Sequence, residues 1–222
     1  MTVNVPETLP GRRRWLRQQT ARAASLGLFC VAGRALAQGA GAAPPTPSQS
    51  EGPFYPRPRP QDDDTDLVRV RGVDAQAVGA LLHVQGRVLD TRGQPLAGAR
   101  VELWQADAQG IYRHPRAPNT QRFDPGFQGY GQVTTDTQGR WSFRTVIPGR
   151  YPGRTPHLHF KLGQGERQLT TQAYFAGDPG NARDMLLRAL DEAEQRALTM
   201  VLQDAPGLEP GARLGRLDFV LG

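Results

Sequence analysis

Cysteine is almost absent from this chain. Cys30 is the only one in 222 residues, so no intrachain disulfide can form and no cysteine cluster can hold a metal. Long apolar runs are absent as well. None reaches the roughly 18 residues needed for a membrane-spanning helix, so no stable membrane association is expected. Histidine is scarce, at four. Net charge is nearly absent too, once the first 37 residues are set apart. The chain carries a formal +6, but six of its 27 basic side chains and one of its 21 acidic ones lie in that stretch. The remainder has 21 against 20, a net of +1. A near-neutral body has no excess charge for phosphate backbones, and a nucleic-acid partner is excluded on that ground.

Residues 1–37 have the layout of an export signal. The basic cluster Arg12-Arg13-Arg14-Trp15-Leu16-Arg17 precedes a modestly apolar stretch, residues 23–33, and Ala35-Leu36-Ala37 supplies the small-x-small cleavage pattern. Arg12-Arg13 followed by any residue, an aromatic, Leu16 and a base resembles the twin-arginine signal, which would make the export machinery a partner of the precursor. A disordered basic tail is the bland alternative, but a tail has no reason to end in Ala-Leu-Ala. The expected destination is periplasmic or extracellular. Residues 38–49, rich in Pro, Ala and Gly, read as a linker, and residues 50–222 as one domain.

What the body has in abundance is turn chemistry, with 26 Gly and 19 Pro in the whole chain. Between the turns the apolar period is two. Leu82, Val84 and Val88 alternate with His83, Gln85 and Arg87, and Val101 with Leu103 resumes the pattern after the turn at residues 91–95. Trp141 and Phe143, then residues 157–162, 169–175 and 214–221, read as further strands. Residues 182–203 break the pattern, with Met185, Leu186, Ala189, Leu190, Ala193, Ala197, Leu198 and Val201 at helical spacing and Asn181 as a candidate cap. The expected fold is all-β, an antiparallel β-sandwich with one C-terminal helix.

His157-x-His159 is the first chemical signal. On a strand both imidazoles project from one face, roughly 7 Å apart along the chain, and such a pair can chelate one metal. Taken alone, the pattern fits two core-satisfied histidines at least as well. The loop before it, residues 148–156, contains three prolines and two glycines, a fixed irregular shape that could hold Tyr151 and Arg154 near the imidazoles. Upstream, Gly110-Ile111-Tyr112-Arg113-His114 offers a second tyrosine.

Four stretches in order make the pattern specific: Ser50 to Tyr55 (SEGPFY), VELWQADAQGIYRH, FQGYGQVTTDTQGRWSFRTVIPGRYPGRTPHLHF and TTQAYFAGDP. Together they resemble the intradiol ring-cleavage dioxygenases, the family of protocatechuate 3,4-dioxygenase and catechol 1,2-dioxygenase. The resemblance implies Tyr112, Tyr151, His157 and His159 as ligands of one Fe(III), and cleavage of a catechol by O2 to a cis,cis-muconate-type product. Two phenolates with two neutral imidazoles suit a hard trivalent ion, unlike the two-His-one-carboxylate site of iron(II) oxygenases. The resemblance also makes Tyr151 the ligand displaced by substrate, Arg154 a stabiliser of developing negative charge, and Gln172 a wall of the substrate pocket. His114 is then a loop residue, and His83 is structural.

The chain also departs from better-known members. Only five residues separate Tyr151 from His157, and residues 38–80 show no sustained helical period. Substrate identity and oligomeric state therefore do not carry over, and a homo-oligomer is left open. The resemblance is to a compact, exported branch. Arg113, Arg116 and Arg122 could accept a ring carboxylate, though three loop arginines are as readily solvated. Two rival readings remain. A secreted, non-catalytic transthyretin-like β-sandwich fits GRVLDTRGQPLAGARVELW, but does not need Tyr151, Arg154, His157 and His159 within nine residues. A zinc or copper site would keep the histidines but has little use for paired tyrosines.

Overall fold

A computed structural model describes residues 43–222. The segment read as an export signal, residues 1–37, lies outside the described residues, as does the start of the stretch read as a linker.

Among the described residues ten strands form, in chain order β1 (Leu81–Leu89), β2 (Arg100–Trp104), β3 (Tyr130–Thr134), β4 (Arg140–Val146), β5 (His157–Gln164), β6 (Arg167–Phe175), β7 (Thr199–Met200), β8 (Gln203–Asp204), β9 (Arg213–Arg216) and β10 (Phe219–Val220). One five-stranded sheet is built on β1, with β4 on one edge, β9 and β10 on the other, and β8 beside β9. The second runs β3-β2-β5-β6-β7. The protein is mostly β, as its period-two patterning requires. Leu82, Val84 and Val88 of β1 and Trp141 and Phe143 of β4 share one apolar cluster with Val101, Leu103, Leu158, Phe160 and Leu162 of the second sheet. Trp141, Phe160 and Phe219 form its aromatic centre, with ring centroids 5.0–5.4 Å apart.

Three expectations need correction. The sheets are mixed rather than purely antiparallel, because β9 and β10 run parallel to β1, and β7 parallel to β6. Parallel pairs come from long returns of the chain, which local alternation does not reveal. The expected closing strand over residues 214–221 forms in two pieces, broken where Leu217 N donates to Gln85 O (3.0 Å) and Asp218 takes the Arg87 amide and guanidinium. Leu217 O lies 1.7 Å from where a Cβ on Gly86 would be, so this bulge requires a glycine opposite it.

The single helix over residues 182–203 does not form either. A 3-10 turn (Asn181–Arg183) is followed by α1 (Met185–Arg188) and α2 (Glu192–Ala197), and the chain then returns to strand. Two aspartates divide it. Asp184 caps α1 through Leu186 N and Leu187 N, and Asp191 with Glu194 makes a capping box on α2. Each aspartate starts a new helix instead of continuing an old one. Asn181 caps neither, and Met185, expected on the apolar face, is 78% exposed. Strand β3 was not expected at all; Gly131 and Gln132 interrupt its apolar alternation.

Candidate active site

The site is built on the face of β5 that looks away from the shared core. Leu158 and Phe160 enter that core, while His157 and His159 point to the other side. The second face is covered too, so all four residues are at most 2% exposed. Its cover is a second cluster of Tyr55, Trp104, Ala106, Tyr112, Ala117 and Tyr130, with Phe54 and Tyr151 packed against it. Residues 46–50 cross the sheet here. Gln49 N donates to Thr170 O (2.8 Å), Thr171 Oγ1 to Pro47 O (2.7 Å) and Gln172 Nε2 to Ser50 O (2.9 Å).

Two loops bring the tyrosines in. Tyr112 lies beyond the end of β2, and Tyr151 lies in the loop that precedes β5. The loops touch at Gly110, whose φ is 81°. A Cβ there would sit 2.1 Å from Arg150 O. With that contact made, the Tyr112 and Tyr151 rings are 5.6 Å apart and the Tyr112 and His159 rings 6.1 Å. Tyr151 Oη is 3.3 Å from His157 Nε2, which is itself 3.1 Å from His159 Nε2.

The chemistry of these four donors is legible from their other contacts. His157 Nδ1 lies 2.6 Å from Thr155 O. A carbonyl only accepts, so Nδ1 carries the proton and Nε2 presents a bare lone pair to the site. Burial pushes the His157 pKa down to about 4, with the Arg154 cation adding to the effect. Burial, then His157 and Arg154, hold His159 well below the ordinary imidazole range. Both rings are therefore neutral at ordinary pH. Burial raises the Tyr112 phenol well above its usual value, and Tyr151 adds to it. Burial also raises Tyr151, against the opposing pull of Arg154. The buried Tyr112 hydroxyl has no hydrogen-bond partner among the described residues. That is costly unless something else meets it.

Two neutral imidazoles, one with its Nε2 lone pair fixed toward the site, and two phenols on one small volume fit a hard, highly charged cation, the kind of ion that can ionise raised phenols. Among the described residues no group of three or more His, Cys, Asp or Glu converges in this way, so a metal at this point draws on the tyrosines.

The site opens into a cavity of about 580 Å³ lined by Phe54, Ile111, Tyr112, Arg122, Tyr151 and Arg154, among others. A larger cleft of about 730 Å³ lies beside β1, β3 and β4, lined by Gln85, Arg87, Val133, Arg140, Trp141 and Asp218, among others, with no histidine or tyrosine.

The sequence profile of the family described as Dioxygenase matches residues 50–207, which covers both tyrosines, both histidines and Arg154. The chain belongs to the intradiol ring-cleavage dioxygenase family. It is 40% identical over 160 residues to the protocatechuate 3,4-dioxygenase beta chain of Burkholderia cepacia, covering 67% of each chain. To catechol 1,2-dioxygenase 2 of Acinetobacter lwoffii it is 33% identical over 149 residues, 55% of this chain and 52% of the relative. It therefore spans about two thirds of the first relative and about half of the second. Among solved structures, the dioxygenase domain of a dioxygenase carbohydrate-binding protein fusion from Streptomyces sp. SirexAA-E superposes with TM-score 0.62 at 36% identity. It covers 80% of this chain and 98% of that one.

For a member of the intradiol dioxygenase family, the sequence-derived residues sort clearly. Tyr112, Tyr151, His157 and His159 come together. Arg154 joins them as a part-buried cation, with Nη1 3.4 Å from Tyr151 Oη. Gln172 is fully buried behind Arg154 and accepts from its Nη2 at 2.5 Å. His114 lies in the loop, where its Nδ1 accepts from Arg116 N (3.1 Å), and His83 lies on the other sheet, 2.8 Å from Glu209. Of the three loop arginines only Arg122 lines the 580 Å³ cavity. Arg116 Nη2 donates to Pro53 O, and Arg113 lines a different cleft.

Three further residues escaped the sequence reading. Phe54 lies 4.7 Å from the Tyr112 ring, and Trp104 stacks on His159 at 4.8 Å and 13°. Trp104 is the cross-strand partner of His159, a relation that pairing register alone supplies. Asp184 was hidden within the expected helix, though an aspartate before an apolar run is itself a cap signal.

Proposed function

We propose that this protein opens the ring of a catechol between its two hydroxyl-bearing carbons. Both atoms of O2 enter the product, a cis,cis-muconate-type diacid. The carrying observation is the convergence of Tyr112, Tyr151, His157 and His159: the two tyrosines line a 580 Å³ cavity, and the two histidine Nε2 atoms lie 3.1 Å apart beside Tyr151 Oη. These four side chains would hold Fe(III). When bound, that ion supplies Lewis acidity, making both catechol oxygens anionic and the ring electron-rich enough to react with O2.

The chain's own residues account for the rest. Tyr151 is the group placed to take a catechol proton, since its oxygen lies toward both His157 and Arg154. Arg154 keeps its charge beside the pocket and stabilises negative charge that develops on oxygen during ring opening. Phe54 and Ile111 present apolar surface that holds the aromatic ring and excludes water. We read the two sheets as the faces of a single β-sandwich domain over residues 50–222. The precursor is exported by the twin-arginine route, on the strength of Arg12-Arg13 and Ala35-Leu36-Ala37. A double Arg12→Lys, Arg13→Lys precursor should stay in the cytoplasm, and normal export would remove this assignment.

The test of the activity is the visible spectrum of the purified protein before and after anaerobic addition of catechol. A tyrosinate-to-iron(III) charge-transfer band should shift to longer wavelength with catechol, and admitting air should consume one O2 per ring opened. A protein still colourless after iron reconstitution would overturn the reading in favour of a non-catalytic module.

A further inference from the structure

Asp184 is 1% exposed, and a buried carboxylate must be fully met by donors. Its two oxygens face opposite ways. Oδ1 caps α1, accepting from Leu186 N (3.0 Å) and Leu187 N (3.1 Å). Oδ2 accepts from Arg154 Nε (2.8 Å) and Thr155 N (3.0 Å). A cap on a four-residue helix is served equally well by a neutral asparagine or serine. The buried charge answers to something else, and its counterpart is the Arg154 guanidinium.

That guanidinium is held at two points. Nε is on Asp184, and Nη2 is on Gln172, whose own amide is fixed to Ser50 O. With two of its nitrogens anchored the plane is set, and Nη1 is left directed at Tyr151 Oη. Thr155 is gripped in the same way. Its amide is on Asp184, and its hydroxyl lies 2.9 Å from Asn181 Oδ1 and 3.1 Å from Asp178 Oδ1. The Thr155 carbonyl then meets His157 Nδ1.

We propose that Asp184 is a positioning residue. Its carboxylate aims Arg154 at the reacting oxygen and steadies the Thr155 carbonyl that sets the His157 tautomer. The catalytic consequence rests on the ring-cleavage reading above; the clamp itself does not.

Asp184→Asn keeps an oxygen for the helix cap but presents an NH2 group to two donors. In 15N-labelled, metal-free protein the Arg154 Nε–H signal can be identified by its loss in Arg154→Lys. That proton should exchange slowly with solvent in the wild type, and about tenfold faster or more in Asp184→Asn. In the iron-loaded enzyme kcat should fall about tenfold or more with little change in KM. The same substitution should cost much less in an Arg154→Ala background, where only the Thr155 contact is left to lose. Equal losses in both backgrounds would overturn the role. So would an unprotected Arg154 Nε–H in the wild type, a result that does not depend on Asp184→Asn folding. A protected signal in a protein that opens no catechol ring would support the clamp and sink the ring-cleavage reading.

Discussion

His83 and His157 occupy comparable places in the sequence, each a polar residue in a strand of alternating period, yet they end in opposite environments. His83, on β1, keeps 22% of its side chain exposed and joins Glu209, Arg144 and Asp66 in a surface network of ion pairs. His157, on β5, is 2% exposed beneath aromatic rings. The difference lies in what covers each sheet. The outer face of β1 and β4 meets solvent, and its charges pair with one another there. The outer face of β2, β5 and β6 lies under residues 46–60 and the two tyrosine loops. Even Glu102 is fully buried on that face, held by Tyr55, Tyr130, Arg59 and Arg100. Polar alternation thus marks a face, and only the cover decides whether that face is surface or site.

The sharpest way to break this comparison is a matched pair of substitutions. His157→Ala should abolish turnover and bound iron, whereas His83→Ala should leave both close to wild type. Full iron content in His157→Ala, measured by elemental analysis, would dissolve the site. The next largest effect is on stability. Glu102→Ala leaves the buried Tyr55 and Tyr130 hydroxyls without their acceptor, at a cost of about 1–3 kcal/mol. Removal of an exposed pair partner costs roughly 0–1 kcal/mol. Urea unfolding of Glu102→Ala beside Asp218→Ala, the solvent-side partner of Arg87, should show that ranking.

The smallest effect is a pH dependence confined to the solvent-facing sheet. Hydrogen bonding from Arg144, with His83 assisting, pulls the Glu209 carboxyl down from 4.5 to about 2. The folded state therefore binds this proton less readily than the unfolded chain. Its stabilisation is complete above pH 4.5 and is lost as pH falls toward about 2. Glu209→Gln should lack that part of the acid sensitivity. Identical acid-unfolding profiles for the two proteins would remove the assignment.

The strands carrying the core were legible because Leu82, Val84, Trp141, Phe143, Leu158 and Phe160 alternate, and alternation is a local property of the backbone. Tyr112, Tyr151, His157 and His159 were singled out through the family resemblance, which four ordered stretches of sequence carry; the His-x-His spacing alone did not distinguish ligands from core histidines. Helix length was not legible. The periodicity of residues 182–203 is real, but Asp184 and Asp191 divide it, and Asp184 does so while its other oxygen holds an arginine thirty residues away.

The sequence by itself determined the mostly β class and the family, the first because alternation is local and the second because motifs along the chain carry it. The tertiary structure alone decided the parallel return of β7, β9 and β10, the stacking of Trp104 on His159, the burial of the histidine face, and the choice of Arg122 over Arg113 and Arg116 as a cavity wall. Each of these depends on which segment is laid over which. Chain return and cover are set by the packing of distant segments, which no local period encodes.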